Sequence, residues 1–244
     1  MVSEPGAHEQ ATTRYAFVYG VRRTHATLGA WQDDPWPAVG HWFAGSLAAA
    51  VTLLAATWLI AGLSGAGGFD VQTIAPPFRV GNLGQAGTSV AKNLLVLTLH
   101  AMACVAGFIA GSSLPLQAQE HHGIARAIHE RGGRLASIFV VAATTFSLSA
   151  QALVLGGETA AVAAHLHTSP GILLVVLLPH ALIELTALFL PLAAWIIASR
   201  RGEWDELLAA TLVTVAIALP MLVFAALFEV YISPHILQAL IARG

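Results

Sequence analysis

The stretch that decides the fold is GILLVVLLPHALIELTALFLPLAAWIIA, residues 171–198, in which His180 and Glu184 are the ionisable side chains. About 20 apolar residues are enough to cross the hydrocarbon of a bilayer. The run therefore predicts a transmembrane helix. Ionisable side chains at membrane depth are costly and usually functional, so this pair is the first candidate site in the chain.

Pro179 interrupts the run immediately before His180. Proline lacks a backbone N–H and clashes with the carbonyl four residues earlier, so it kinks or restarts a helix. A helix that restarts at Pro179 extends from His180 to Ser199, about 30 Å at 1.5 Å per residue. The sequence thus predicts a broken or re-entrant segment before Pro179, with His180 and Glu184 in the outer half of the membrane.

The composition indicates a membrane protein along the whole chain. The 244 residues are 57% hydrophobic and 10% charged, whereas about 25% of the residues in an average soluble domain are charged. Apolar runs long enough to cross a bilayer occur five times, which predicts an all-α, polytopic transmembrane helix bundle. The runs cover residues 42–63, 90–112, 135–157, 171–198 and 207–232.

The loop charges predict the orientation, because Lys and Arg concentrate in cytoplasmic loops. Eight of the 11 basic residues precede the first run, separate the second from the third, or follow the fourth. We therefore expect a cytoplasmic (inner) membrane protein with its N-terminus inside and its C-terminus outside. Residues 1–41 form a predicted cytoplasmic tail with an interfacial helix near residues 14–30, and residues 42–244 form the transmembrane domain.

Charge and motif content exclude several partner and enzyme classes. A formal net charge of -2 gives no basic field that would attract nucleic acid, so nucleic acid is not an expected partner. Nucleophile elbows, phosphate-binding loops and CxxC pairs are absent from the sequence. The expected partners are the lipid bilayer, other membrane or envelope proteins, and a second copy of the chain in a homo-oligomer.

Four polar residues from three apolar runs are predicted to meet. His180 and Glu184 are four residues apart and so share one helix face. Glu229 lies about 33 Å along the fifth helix from Leu207, near the same outer side of the membrane. With Asn93, near the outer end of the second helix, these residues form the predicted intramembrane polar cluster.

The chemistry of this cluster has several interpretations. One imidazole and two carboxylates match the ligands of a catalytic zinc, with one position open for water. Zinc is accordingly the candidate cofactor, with His180, Glu184, Glu229 and His100 as candidate ligands, although HExxH is absent. Alternatively, the same side chains pair with one another and lock the helices together, or line an ion or substrate path. No catalytic residue is identified.

Three segments together resemble the stage II sporulation protein M family of bacterial and archaeal membrane proteins, over roughly residues 90–235. They are Asn93 opening a helix that contains Gly107 and Gly111, LPHALIEL at residues 178–185, and FEVYISP at residues 228–234. The resemblance implies a membrane component of envelope processes. The family's namesake is implied in cell-wall remodelling during engulfment, together with peptidoglycan-cleaving partners.

These observations predict a noncatalytic membrane protein of the bacterial cell envelope that holds or recruits partners for envelope or peptidoglycan remodelling. Two alternatives remain open. One is an intramembrane metal-dependent hydrolase that uses His180, Glu184 and Glu229. The other is a subunit of a membrane transporter, which requires a continuous polar path through the bundle.

Overall fold

The computed structural model describes residues 7–64, 81–113, 123 and 132–241. This part of the chain forms seven α-helices and two short helical turns. A π-helical turn, Ile109–Ser113, extends the third helix, and a 3-10 turn, Trp204–Glu206, precedes the sixth. The helices are α1 (Ala7–Asp33), α2 (Trp36–Ser64), α3 (Leu83–Phe108), α4 (Gly132–His165), α5 (Pro170–Arg201), α6 (Leu207–Tyr231) and α7 (Ser233–Ile241).

Five segments of this structure are long and apolar enough to cross a membrane: α2, α3, α4, α5, and α6 together with α7. The predicted all-α bundle with five spans is confirmed.

Two of the helices, α2 and α3, begin earlier than the apolar runs that predicted them, at Trp36 and Leu83. At α3 the reason is a capping box, in which Asn82 and Gln85 bond each other's backbone N–H groups and stabilise a polar first turn. The division of the chain at residues 41 and 42 stays a prediction.

The predicted break before Pro179 is wrong, because α5 is continuous from Pro170 to Arg201. Ser169 caps its N-terminus by accepting from the backbone N–H of Ile172, and Pro170 occupies the first turn, where a missing N–H costs nothing. Residues 170–178 are therefore already helical before Pro179. The 32 residues of the helix extend about 48 Å, so α5 tilts or projects beyond the hydrocarbon.

α5 is the central helix, and side chains from its neighbours bond its carbonyls near Pro191. From α2, Ser46 Oγ donates to the carbonyl of Thr186. From α3, His100 Nδ1 donates to the carbonyl of Leu188 at 2.7 Å, and the thiol of Cys104 lies 3.1 Å from the carbonyl of Pro191. Polar side chains commonly join membrane helices in this way. These bonds fix α2 and α3 against α5.

Gly107 on α3 and Gly111 in the π-helical turn that follows it give room to two indole rings at the corner between α5 and α6. A Cβ atom on Gly107 would lie 2.2 Å from Trp195 Nε1, and one on Gly111 would lie 2.1 Å from Trp204 Cδ2. The two rings pack edge to face with their centroids 6.2 Å apart. The GxxxG spacing therefore serves side-chain packing against tryptophans at the α5–α6 corner.

The first helix is tied to the same corner of the bundle. Asp205 Oδ2 accepts from Tyr19 Oη at 2.9 Å, and from Nε and Nη2 of Arg23 at 3.2 Å and 2.9 Å. Burial, together with the hydrogen bond to Asp205, raises the pKa of Tyr19. The structure thus contains a helix where one was predicted near residues 14–30, while its position at the membrane surface stays a prediction.

The indole contact leads to a first prediction. Gly107→Ala should lower the free energy of unfolding by about 1–3 kcal/mol, because the added methyl group overlaps Trp195 in a packed core. The matched control is Gly87→Ala on the same helix, where a Cβ atom meets no atom within 4 Å. The control should leave stability unchanged or raise it by up to about 1 kcal/mol. Reversible unfolding in detergent micelles measures both, and equal effects would contradict the packing role.

Candidate functional site

The predicted polar residues lie where one end of α5 meets α3, α6 and the start of α7. Asn93 and His180 are buried, and Glu184 and Glu229 are partly buried. The ring of Phe228, which precedes Glu229, lies beside the His180 imidazole, and Ser233, four residues after Glu229, contacts His180 Nδ1, so Glu229 and His180 lie at the same contact between α5 and α6. We call His180, Glu184, Glu229 and Asn93 the outer cluster, after the side of the membrane on which the sequence predicts them.

His180 is held by the α6–α7 junction. Its Nδ1 lies 2.9 Å from the hydroxyl oxygen of Ser233, the first residue of α7, and both side chains are buried. The ring of Phe228 lies beside the imidazole, with the centroids 6.4 Å apart. Ser233 can face α5 because α6 ends at Tyr231 and a new helix, α7, begins at Ser233 with Pro234 in its first turn. The bond links α5 to α7.

Glu229 is held by α3. Ser89 Oγ donates to Glu229 Oε2 at 2.8 Å. A backbone hydrogen bond lies nearby, since the N–H of Gly81 donates to the carbonyl of Val230 at 3.2 Å. Hydrogen bonds to a carboxyl group offset part of the cost of taking it out of water. The start of α3 is therefore joined to the end of α6.

Glu184 and Asn93 form the third contact between helices. The Asn93 side chain lies against the carboxyl group of Glu184, within range of a polar interaction. Its buried Nδ2 nevertheless has no acceptor within strict hydrogen-bond geometry. This contact joins the middle of α3 to α5.

His100 does not belong to the outer cluster. Its Nδ1 bonds the Leu188 carbonyl, one helical turn beyond Glu184 on α5, and its ring contacts Phe189. Within the ranges that the structure describes, no three His, Cys, Asp or Glu side chains are arranged to hold a metal ion. Of the four candidate zinc ligands, His100 thus lies apart from His180, Glu184 and Glu229. In addition, His180 is bonded to a serine hydroxyl.

The distance between the Ser233 hydroxyl oxygen and His180 Nδ1 is typical of a nucleophilic serine and the histidine that acts as its general base. An activated serine also needs a group that orients the imidazole from its other nitrogen, and access for a substrate. In the described residues the second nitrogen of His180 has no hydrogen-bond partner, and Ser233 is 4% exposed. The arrangement therefore favours a structural hydrogen bond over an acyl-transfer centre.

Ser89 and Ser233 are the site residues that the sequence analysis missed. Ser89 precedes Asn93 by four residues, so the two share one face of α3, and this spacing is a signal that the sequence contains. Ser233 follows Glu229 by four residues, but the helix ends between them. A helical count does not place its hydroxyl beside His180.

Comparison with known proteins gives one match. The family model of stage II sporulation protein M matches residues 135–234. The matched residues include His180, Glu184 and Glu229, whereas Asn93 lies outside them. No curated protein and no solved structure matches the chain. Over residues 135–234 the match supports the predicted family, and with the five apolar helices it supports a multi-pass membrane protein.

The bond at Glu229 leads to a second prediction. Ser89→Ala should lower the free energy of unfolding by about 1–3 kcal/mol, because a partly buried carboxyl group loses its donor. Thr88→Ala is the matched control, since Thr88 is exposed and bonds the Gly84 carbonyl of its own helix at 2.9 Å. That control should stay within about 0.5 kcal/mol of the wild type. Denaturant titration in micelles tests both, and no difference between them would refute the role of Ser89.

Proposed function

We propose, from the premise that residues 135–234 belong to the stage II sporulation protein M family, that this multi-pass membrane protein is a noncatalytic component of the bacterial cell envelope. Its role is to hold or recruit other membrane or envelope proteins during envelope or peptidoglycan remodelling. Family membership supports the envelope context. The geometry of the outer cluster supports the noncatalytic role.

One observation carries the proposal: the polar side chains of the outer cluster are engaged with groups on other helices. Ser233 bonds His180, Ser89 bonds Glu229, and Asn93 lies against Glu184. Polar contacts between membrane helices stabilise their packing. The cluster thus holds α3, α5, α6 and α7 in fixed relative positions, as a rigid support for partner proteins requires.

The two alternatives have weaker support. A metal-dependent hydrolase needs converging ligands, and the described residues contain no such group of three. A transporter needs a continuous polar path. Between the outer cluster and His100 lie the buried apolar side chains of Leu97 and Leu188, which belong to the main core. We therefore advance neither alternative.

The positions of the basic residues support a cytoplasmic N-terminus. The ion pair between Arg23 and Asp205 joins α1 to the turn between α5 and α6. Arg22 directly precedes Arg23 in the sequence, and Arg200 and Arg201 lie shortly before Asp205. One end of the bundle therefore collects much of the positive charge, which is typical of the cytoplasmic side. We place the protein in the cytoplasmic membrane with its C-terminus outside.

A third prediction tests this orientation by cysteine labelling. Asp34→Cys, between α1 and α2, should react with a membrane-impermeant maleimide after permeabilisation of spheroplasts and not before. His165→Cys, at the end of α4, should react in intact spheroplasts. Both positions are exposed. Cys104 is fully buried, so the wild-type chain is the unlabelled control. The reverse labelling pattern would overturn the orientation.

A fourth prediction tests the noncatalytic envelope role in cells. Deletion of the gene should change the incorporation of fluorescent D-amino acids into peptidoglycan, and wild-type protein should restore it. Glu184→Gln and Glu229→Gln should also restore it whenever they accumulate to the wild-type level, because an amide keeps the hydrogen bonds of a structural carboxyl group but cannot transfer its proton. Purified protein should contain no stoichiometric transition metal.

Three results would contradict this proposal. Unchanged peptidoglycan labelling after deletion would remove the envelope role. An abundant Glu184→Gln protein that fails to restore labelling would indicate chemistry at the carboxyl group. One zinc per chain that is lost in both variants would identify a metal site.

A further inference from the structure

A groove lies between α3, α4 and α5, deeper in the bundle than the outer cluster. It encloses a volume of about 240 Å³. Apolar side chains cover much of its wall, and a polar patch from α3 and α4 interrupts them. The polar lining residues are His100, Thr144, Ser147 and Gln151, and the aromatic ones are Phe139 and Phe189.

The groove exists because α4 packs on the bundle along only part of its length. Within residues 135–165 of this helix, the buried residues begin at Ala152, and residues 135–151 are exposed or partly exposed. In its most apolar window, 6% of the residues are buried, against 22–39% for the other four spans. The half of α4 that follows Leu135 is thus only partly packed on the bundle.

The exposed apolar side chains on this half of α4 can face lipid, since lipid chains are as apolar as leucine side chains. The polar side chains of the groove cannot be satisfied in this way. Thr144, Ser147 and Gln151 lie about 14, 18 and 24 Å along α4 from Leu135, within the roughly 30 Å of hydrocarbon. At this depth there is neither water nor a lipid headgroup to bond them.

The amide of Gln151 has unused hydrogen-bonding capacity. Its Nε2 donates to Ser147 Oγ at 3.3 Å, which uses one of the two donors that a glutamine offers, while its carbonyl oxygen can accept two more bonds. His100 uses Nδ1 for the Leu188 carbonyl, so Nε2 is its remaining acceptor. In the described residues these groups have no further partner.

We propose that a second copy of this chain covers the groove, so that Gln151 and Ser147 of each copy hydrogen-bond the same residues of the other. A two-fold axis along the membrane normal keeps both copies in one orientation and brings each residue to its own depth in the partner. Amides and hydroxyls both donate and accept, so this patch is complementary to itself. No charged residue occurs between Leu135 and Gly157, so the contact has no like-charge repulsion.

Disulfide cross-linking in native membranes tests the position of the contact. Ala143→Cys is exposed and lines the groove one turn from Ser147. It should form a disulfide-linked dimer under mild oxidation. Ala142→Cys is the matched control, because it is equally exposed but is not part of the groove. Neither this variant nor the wild-type chain, whose Cys104 is buried, should form a disulfide-linked dimer.

Fluorescence energy transfer between donor- and acceptor-labelled protein in liposomes tests whether Gln151 stabilises the dimer. Gln151→Leu should weaken dimerisation roughly tenfold, since one interhelical polar contact in a bilayer contributes about a factor of three and the symmetry doubles the effect. Ser149→Ala should leave dimerisation unchanged, because Ser149 bonds the Thr145 carbonyl of its own helix. Gln151 is exposed, so its substitution leaves the core intact.

Three outcomes would overturn the proposal. The first is a monomer at every protein-to-lipid ratio. The second is cross-linking from Ala142→Cys that equals that from Ala143→Cys. The third is cross-linking of Ala143→Cys to a different protein, with no dimer of this chain, which would assign the groove to another partner.

Discussion

A polar group inside a bilayer has no water to bond, and α5 brings more polar groups into the hydrocarbon than its own backbone can satisfy. His180 and Glu184 are ionisable, and Pro191 removes a backbone donor. Neighbouring helices supply partners for polar groups on α5: Ser233 bonds His180, and His100 bonds the Leu188 carbonyl. The positions of these helices follow from that requirement.

The contacts between α3 and α5 follow one order along both helices. Asn93 lies against Glu184, His100 bonds the carbonyl of Leu188, and Cys104 contacts the carbonyl of Pro191. Gly107 then makes room for Trp195. The two helices are therefore parallel neighbours in one defined register. The half of α4 that follows Leu135 takes no part in this series, and its polar groups remain available at the groove.

The sequence predicted the five spans well, because they depend on local properties. Run length determines whether a helix can cross a bilayer. The rise per residue locates Glu229 along its helix. The predicted break at Pro179 was wrong, since it weighed one lost hydrogen bond without the N-terminal cap at Ser169. Ser89 was missed although it lies four residues before Asn93 on the same helix face.

The sequence by itself determined that the chain crosses a membrane with five helices and carries acidic side chains into it, because hydropathy and helix rise are properties of the local chain. Only the tertiary structure decided which partner each polar group has. It separated His100 from His180, paired Ser233 with His180, and set Gly107 and Gly111 against Trp195 and Trp204. These pairings depend on how each helix is rotated and tilted against its neighbours. In a membrane the hydrophobic pattern of the sequence does not determine this rotation, because lipid and protein core are equally apolar.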